Sequence, residues 1–319
     1  MLTTPNAIFP SVANRDSFKT GSPIFSFAKS DRMENRMNGQ FFAYNALAFP
    51  GFKRKAVTLS YDDGVVEDER LVEIMRRHGI KGTFNINSKN LGGAGGRCLP
   101  TEILKKVYGD DMEIAVHGYD HLPLAKVSPS LAMRDVVLDR ETLEVTFDRM
   151  VRGMAYAYGS YSDEVVAMLK NAGIVYSRTT KSTYSFELPE EWLTLHPTCH
   201  HRDPKLFMLV EEFLKDDAGN YWRNAPKLFY LWGHSYEFPR DDNWDVIESF
   251  CKIIGERDDI WCATNMEIYE YVKAFESLVF SSDRKRIYNP TSTDVYLKGR
   301  CGNVLVKAGE TVVTDVFAN

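Results

Sequence analysis

Between Lys55 and Phe275, short apolar runs alternate with longer amphipathic ones, and this rhythm limits the possible folds more than any other feature of the chain. Residues 56–61 (AVTLSY) are β-branched and stop at Asp62-Asp63-Gly64, as a strand entering a turn does. Residues 66–78 place Val66, Leu71, Ile74 and Met75 on one face with charges between, and end at Gly79, the signature of a helix. Residues 83–87 (TFNIN) make the next strand. The alternation continues with a helix at 103–108, a strand at 112–117, and a helix from Pro129 to about Met150 capped by Ser128. A strand at 153–156, a helix at 163–171 closed by Gly173 and a strand at 174–178 follow. The runs 192–196, 206–214, 227–232, 244–255, 260–263 and 265–275 extend the series.

About seven such units predict an α/β chain whose parallel sheet closes into a distorted (β/α) barrel of about seven strands. A doubly wound open sheet is the competing topology. The rhythm fails at both ends. Residues 1–50 are rich in Ser, Asn, Pro and Phe and read as an extended arm, with SDRMENRMNGQ as a solvated loop. Residues 51–276 form the barrel. In 277–319, TDVYLKG, NVLVKAGE and TVVTDVF read as two or three antiparallel strands, a small C-terminal β appendage.

Composition removes several functions. A net charge of −5, from 39 basic and 44 acidic residues, leaves no basic field for nucleic acid. Cys98, Cys199, Cys251, Cys262 and Cys301 are widely spread and contain no C-x-x-C pair, so reduced thiols are expected rather than a disulfide framework or zinc knuckle. The first residues have no charged segment before an apolar one, as a signal peptide would, and no run is long enough to span a membrane. The expectation is a cytoplasmic protein without a membrane partner. Its oligomeric state is not legible.

The polar residues then draw the attention. Six of the seven histidines lie at or just after the ends of expected strands, the face on which α/β barrels build their sites. Asp62-Asp63-Gly64 is either a turn with Asx capping or a pair of carboxylates whose repulsion a cation relieves. His117-Gly-Tyr-Asp-His121 sets two imidazoles four residues apart. On one helical turn both could face one ion, or both could be surface histidines. His234, closing Leu231-Trp232-Gly-His234, is either a hydrogen-bonded rim residue or a general acid. The run His196-Pro-Thr-Cys-His200-His201-Arg202-Asp203 is either a polar loop or a substrate-pocket wall. Trp192, Trp222, Trp232 and Tyr236 read as core, or as platforms for sugar rings once the resemblance stated next implies a sugar substrate.

In chain order these pieces resemble the polysaccharide deacetylase family (carbohydrate esterase family four). Its T-F-D-D-G block appears as Ser60-Tyr61-Asp62-Asp63-Gly64, its H-[ST]-x-x-H block as His117–His121, and its late Leu and His as Leu231 and His234. GIKGTFNIN and KNAGIVYSRTT share its phrasing, and the likeness runs over roughly residues 55–275. The resemblance implies that Asp63, His117 and His121 hold one divalent metal ion. Zinc is the first candidate, and cobalt, nickel or manganese suit the same ligands. It further implies Asp62 as general base, His234 as general acid, and removal of an N- or O-linked acetyl group from a sugar or oligosaccharide.

The third block, R-x-P-x-G, departs. It stands here as Ala155-Tyr156-Ala157-Tyr158-Gly159, so the Arg that orients the base is missing and Arg202 is its expected stand-in. The backbone N–H of Tyr156 is the expected oxyanion donor. Tyr156, Tyr158, Gly159, His200, His201, Arg202, Trp232 and Glu237 make up the expected substrate and oxyanion set, with Glu237 on a sugar hydroxyl. The alternatives are an amidohydrolase acting on a non-sugar C–N bond and a carbohydrate-binding protein that lost catalysis along with the Arg.

Overall fold

The computed structural model describes residues 44–93, 98–215 and 225–318. The expected arm over 1–43, with its solvated loop, and Trp222 lie outside the described residues.

The alternating runs become alternating elements. After a short strand β1 (Leu47–Ala48) come β2 (Lys55–Asp62), α1 (Asp68–Arg77), β3 (Gly82–Ile86), α2 (Thr101–Tyr108), β4 (Glu113–Val116), α3 (Pro129–Phe147) and β5 (Gly153–Ala155). They are followed by α4 (Asp163–Asn171), β6 (Tyr176–Arg178), β7 (Cys199–His200), α5 (Leu206–Leu214), β8 (Lys227–Gly233) and α6 (Glu237–Asp241). The series closes with α7 (Trp244–Gly255), β9 (Ile260–Cys262) and α8 (Asn265–Glu276). Ser128 caps α3 by accepting the Leu131 N–H, and Thr264 with Glu267 forms a capping box on α8.

The sheet is parallel throughout, in the order β6-β5-β4-β3-β2-β8-β7. β9 pairs with the start of β2, beside β3. The outermost strands β6 and β7 do not pair. One segment links them instead: Leu195 bridges Arg178, while Cys199 and His200 pair with Leu231 and Trp232 of β8. The sheet therefore curls into the distorted (β/α) barrel, not a flat doubly wound sheet. Residues of β2 are buried along its whole length, as expected of a strand covered on both faces.

Two apolar clusters hold the structure. One packs α1, α2, α3, α5 and α7 against the sheet, through Phe84, Tyr108, Leu143, Phe213 and Phe250 among others. The second joins α8 to the C-terminal strands. There, β10 (Val279–Phe280), β11 (Arg286–Tyr288) and β14 (Thr311–Val313) form one antiparallel sheet. β12 (Val295–Lys298) and β13 (Asn303–Val306) form another with β1. Tyr271 of α8 ties this appendage to the barrel, its hydroxyl donating to Ala48 O and accepting the Tyr296 N–H at 3.0 Å.

Residues 192–196, one of the runs that extend the series, hold a single 3-10 turn, Trp192–Thr194, with Trp192 packed in the second cluster against Tyr269. Among the described residues no two cysteines form a disulfide. Among the described residues no helix is long and apolar enough to cross a membrane.

Candidate metal centre and acid–base site

In a parallel sheet every strand delivers its last residues to the same edge, so residues far apart in sequence meet there. β2 ends in Asp62, and Asp63 and Gly64 follow with φ of 81° and 66°. A left-handed aspartate is strained, and the turn is held by the Asp63 N–H donating to Asn85 O at 2.9 Å.

His117 follows β4. Its Nδ1–H donates to Ala155 O at 2.9 Å, which leaves the Nε2 lone pair free to point into the site. Asp139 of α3 accepts the backbone N–H groups of Ser88, His117 and Gly118, and burial pushes its carboxyl up to about 6. Asn87 donates to the carbonyls of His117 and Gly118. The two imidazoles do not share a helical turn, contrary to expectation. Residues 117–121 form a loop in which Gly118 has φ 88° and His121 φ 52°. A Cβ at Gly118 would stand 2.5 Å from Asp135, so only glycine fits this version of the block.

The outcome is a compact donor set. His117 Nε2 lies 3.1 Å from His121 Nε2, and Asp63 Oδ1 lies 3.6 and 3.8 Å from these two nitrogens. Bonds of 2.0–2.2 Å in a tetrahedral shell separate ligand atoms by about 3.3–3.6 Å, close to the spacing of these three atoms, which could hold one divalent ion. Burial and the neighbouring His117 lower the pKa of His121, which favours the neutral imidazole a metal needs.

Asp62 lies deeper in the sheet edge beside this set and is 2% exposed. Its Oδ1 accepts from Asn85 Nδ2 at 2.9 Å, and its Oδ2 is ion-paired with Arg178. Burial raises the Asp62 carboxyl, but Arg178, His117 and His234 outweigh it and hold the group down at about 2. Asp62 Oδ2 lies 3.7 Å from His117 Nε2 and 3.9 Å from His234 Nε2, placing it between the donor set and His234.

Arg178 fills the place that Ala155 vacated, and sequence reasoning missed it. It ends β6, directly beside Ala155 in the strand register, and it is fully buried. Its guanidinium carbon lies over Trp232, 4.2 Å from the ring centroid. Arg202 is therefore not the stand-in. It is half exposed and pairs with Asp241 at 2.7 Å and Glu237 at 3.5 Å. The available signal was a charged residue closing an apolar strand, the same signal that singled out the histidines. Asn85 and Asn87, alternating with apolar residues in TFNIN, carried it too.

Two further expectations are corrected. The Tyr156 N–H donates to Arg178 O at 3.0 Å within the sheet, and its hydroxyl to Leu193 O, so it has no amide to offer a substrate. Trp232 is buried with a face covered by Arg178, and Trp192 is core, so neither can stack on a sugar. Tyr158 and Tyr236 instead line a cleft of about 480 Å³ together with Asp63, Asn87 and His121. Tyr158 is exposed, adopts φ 57°, and its ring centroid lies 4.5 Å from that of His121. Gly159 follows it, also left-handed, where a Cβ would meet Thr180. His200, His201 and Glu237 gather beside His234, with Glu237 buried. The loop carrying His234 is braced by Ser235, which donates to buried Asp68 together with the Tyr108 hydroxyl. Burial lifts the Asp68 carboxyl to about 7.

A family model described as polysaccharide deacetylase matches residues 50–177. YxkH of Bacillus subtilis, a protein named for polysaccharide deacetylation, is 22% identical over 128 residues, which are 40% of this chain and 45% of YxkH. The chitin deacetylase of Arthroderma benhamiae is 28% identical over 111 residues, 34% of this chain and 29% of that one. The chain thus spans less than half the length of either relative. Among solved structures, a Mycobacterium smegmatis protein named as a polysaccharide deacetylase shares the fold. The match has a TM-score of 0.55 at 18% identity and covers 72% of this chain and 94% of that one. Over residues 50–177 the chain is thus similar to the polysaccharide deacetylase family, and the barrel built on them has the fold of the Mycobacterium smegmatis protein.

Proposed function

We propose that this protein hydrolyses an N- or O-linked acetyl group on a carbohydrate, with one divalent ion, zinc first among candidates, held by Asp63, His117 and His121. The observation that carries the reading is the division of labour between adjacent carboxylates. Asp63 faces two imidazole nitrogens, while Asp62 is clamped by Arg178 and Asn85 with its Oδ2 between His117 and His234. A metal held by that set would supply Lewis acidity for activating a water and polarising the acyl carbonyl. Asp62, kept ionised by Arg178, accepts a proton from the attacking water. The backbone N–H of Tyr158, at the cleft wall, is our candidate to support the negative charge that grows on the carbonyl oxygen. His234 gives the proton on Nε2 to the departing nitrogen or oxygen, leaving acetate and a free amine or hydroxyl. Tyr158 and Tyr236 offer rings for the sugar. The reading as a binder that lost catalysis assumed an unpartnered base, and Arg178 removes that premise.

The test is acetate release from N-acetylated chito-oligosaccharides and O-acetylated xylo-oligosaccharides. Release is expected from at least one class, abolished by a chelator and restored by zinc or cobalt. Metal-loaded protein that frees no acetate from either would contradict the reading.

A further inference from the structure

Beside the acid–base pair stands a second cluster that this mechanism leaves unused. Three imidazoles converge on one carboxylate oxygen. Glu237 Oε2 lies 3.1 Å from His200 Nε2, 3.3 Å from His201 Nε2 and 3.4 Å from His234 Nδ1. Its other oxygen faces Arg202 at 3.5 Å and Arg240 at 3.3 Å.

The atoms of His200, His234 and Glu237 are close enough for a second ion, but the hydrogens argue otherwise. His200 Nδ1 accepts the Arg202 N–H at 3.1 Å, so in the neutral ring the hydrogen sits on Nε2, the atom that faces Glu237. That nitrogen donates and does not ligate. Two guanidinium groups already compensate the carboxylate, and a dication would have to displace or oppose them. His201 forms the wall behind: fully buried, it stacks on Phe238 and Tyr61 and occupies space that exists only because Gly233 has no Cβ.

We propose that Glu237 is a positioning residue for His234: its Oε2 accepts the His234 backbone N–H at 3.4 Å and stands 3.4 Å from Nδ1, where its charge favours the ring hydrogen, so that the transferable proton sits on Nε2, facing Asp62. The sequence places Glu237 at the first residue of α6, three residues beyond His234, so a single turn of chain fixes both partners. His200 and the two arginines hold the carboxylate ionised and in place. The groups facing His234 are Asp62 and Asp63 from the end of β2, His121 from the loop after β4, Glu237 from α6, and His200 and His201 at the end of β7. Burial opposes the charged imidazole, while Glu237, Asp62 and Asp63 favour it, and the outcome is a raised pKa. Glu237 itself is held far below the usual carboxylate range, its burial overcome by His200 and His234. This assignment replaces the sugar-hydroxyl role expected from the sequence and rests on His234 being the acid.

Glu237→Gln tests it, with Glu237→Asp as the conservative rescue. The glutamine variant is expected to lose roughly 100-fold in kcat with KM changed less than about twofold, to shift the alkaline limb of its pH profile downward, and to keep its metal. Glu237→Asp is expected to recover part of kcat. A rise in KM with kcat unchanged would overturn the proposal in favour of a sugar contact. A second equivalent of zinc, bound by the wild type and lost in Glu237→Gln, would overturn it in favour of an ion site. The ¹⁵N shifts of the His234 ring give a reading that needs no substrate. Nδ1–H is expected to dominate in the wild type and to give way to a mixture in Glu237→Gln. Identical shifts in the two proteins also overturn the proposal, whether or not acetate is released.

Discussion

Arg178→Ala is expected to lower folding stability by about 3–5 kcal/mol, because it leaves the Asp62 carboxylate buried without its counter-charge. The pH dependence has a definite sign. Asp62 has a folded pKa of about 2, below its unfolded value, so the pair stabilises the protein above about pH 4. That contribution fades as the pH falls toward 2, and with it the gap between the two proteins should narrow. Turnover should fall as well, since the base loses the group that orients it. Urea denaturation at pH 7 and near pH 2 measures both the loss and its narrowing, and Arg178→Lys should recover part of the loss while lacking the guanidinium over Trp232. A wild-type stability in Arg178→Ala at pH 7 would mean that Asp62 finds another partner, and the replacement of the missing third-block Arg would have to be abandoned.

Asp62→Asn should have the largest effect on activity, a loss of roughly 10²–10⁴-fold in kcat, because the amide cannot accept the proton of the attacking water. Metal content should stay near that of the wild type, since the three expected ligands are Asp63, His117 and His121, and Asp62 is turned toward Arg178. Kinetics on the acetylated oligosaccharide that proves to be the substrate, with metal analysis of the same preparations, separates the two roles. If Asp62→Asn kept more than a tenth of its turnover, Asp62 would not be the base. If it lost the metal, the two carboxylates would have been assigned the wrong way round.

How far the sequence carried depended on the range of each interaction. The strand-then-polar pattern is local, so β2 with Asp62-Asp63-Gly64, β4 with His117 and β8 with His234 could be read directly. Their shared edge follows from parallel topology, which the alternation of strands and helices implies. What failed were statements about the backbone between those points. His117 and His121 approach through a loop with two left-handed residues, not along a helix. The Tyr156 amide is consumed by its neighbouring strand, and no residue near Tyr156 in sequence announces that. Arg178 lies 116 residues from its partner, and only the pairing of β5 with β6 brings a side chain from the second into the position left empty by the first. Glu237 was singled out, but for another role, because its three histidine contacts come from two strands that meet only in the folded sheet.

The measurement that bears most directly on the metal centre is the divalent-ion content of purified protein, wild type beside His117→Ala, by elemental analysis after mild dialysis. His117 has its Nδ1 committed to Ala155 and its Nε2 facing both His121 and Asp63, so removing it takes away the hub of the donor set. Close to one zinc, cobalt or other divalent ion per chain is expected in the wild type, and almost none in the variant. No ion in either protein, even after incubation with zinc or cobalt, would contradict a metal-dependent deacetylase.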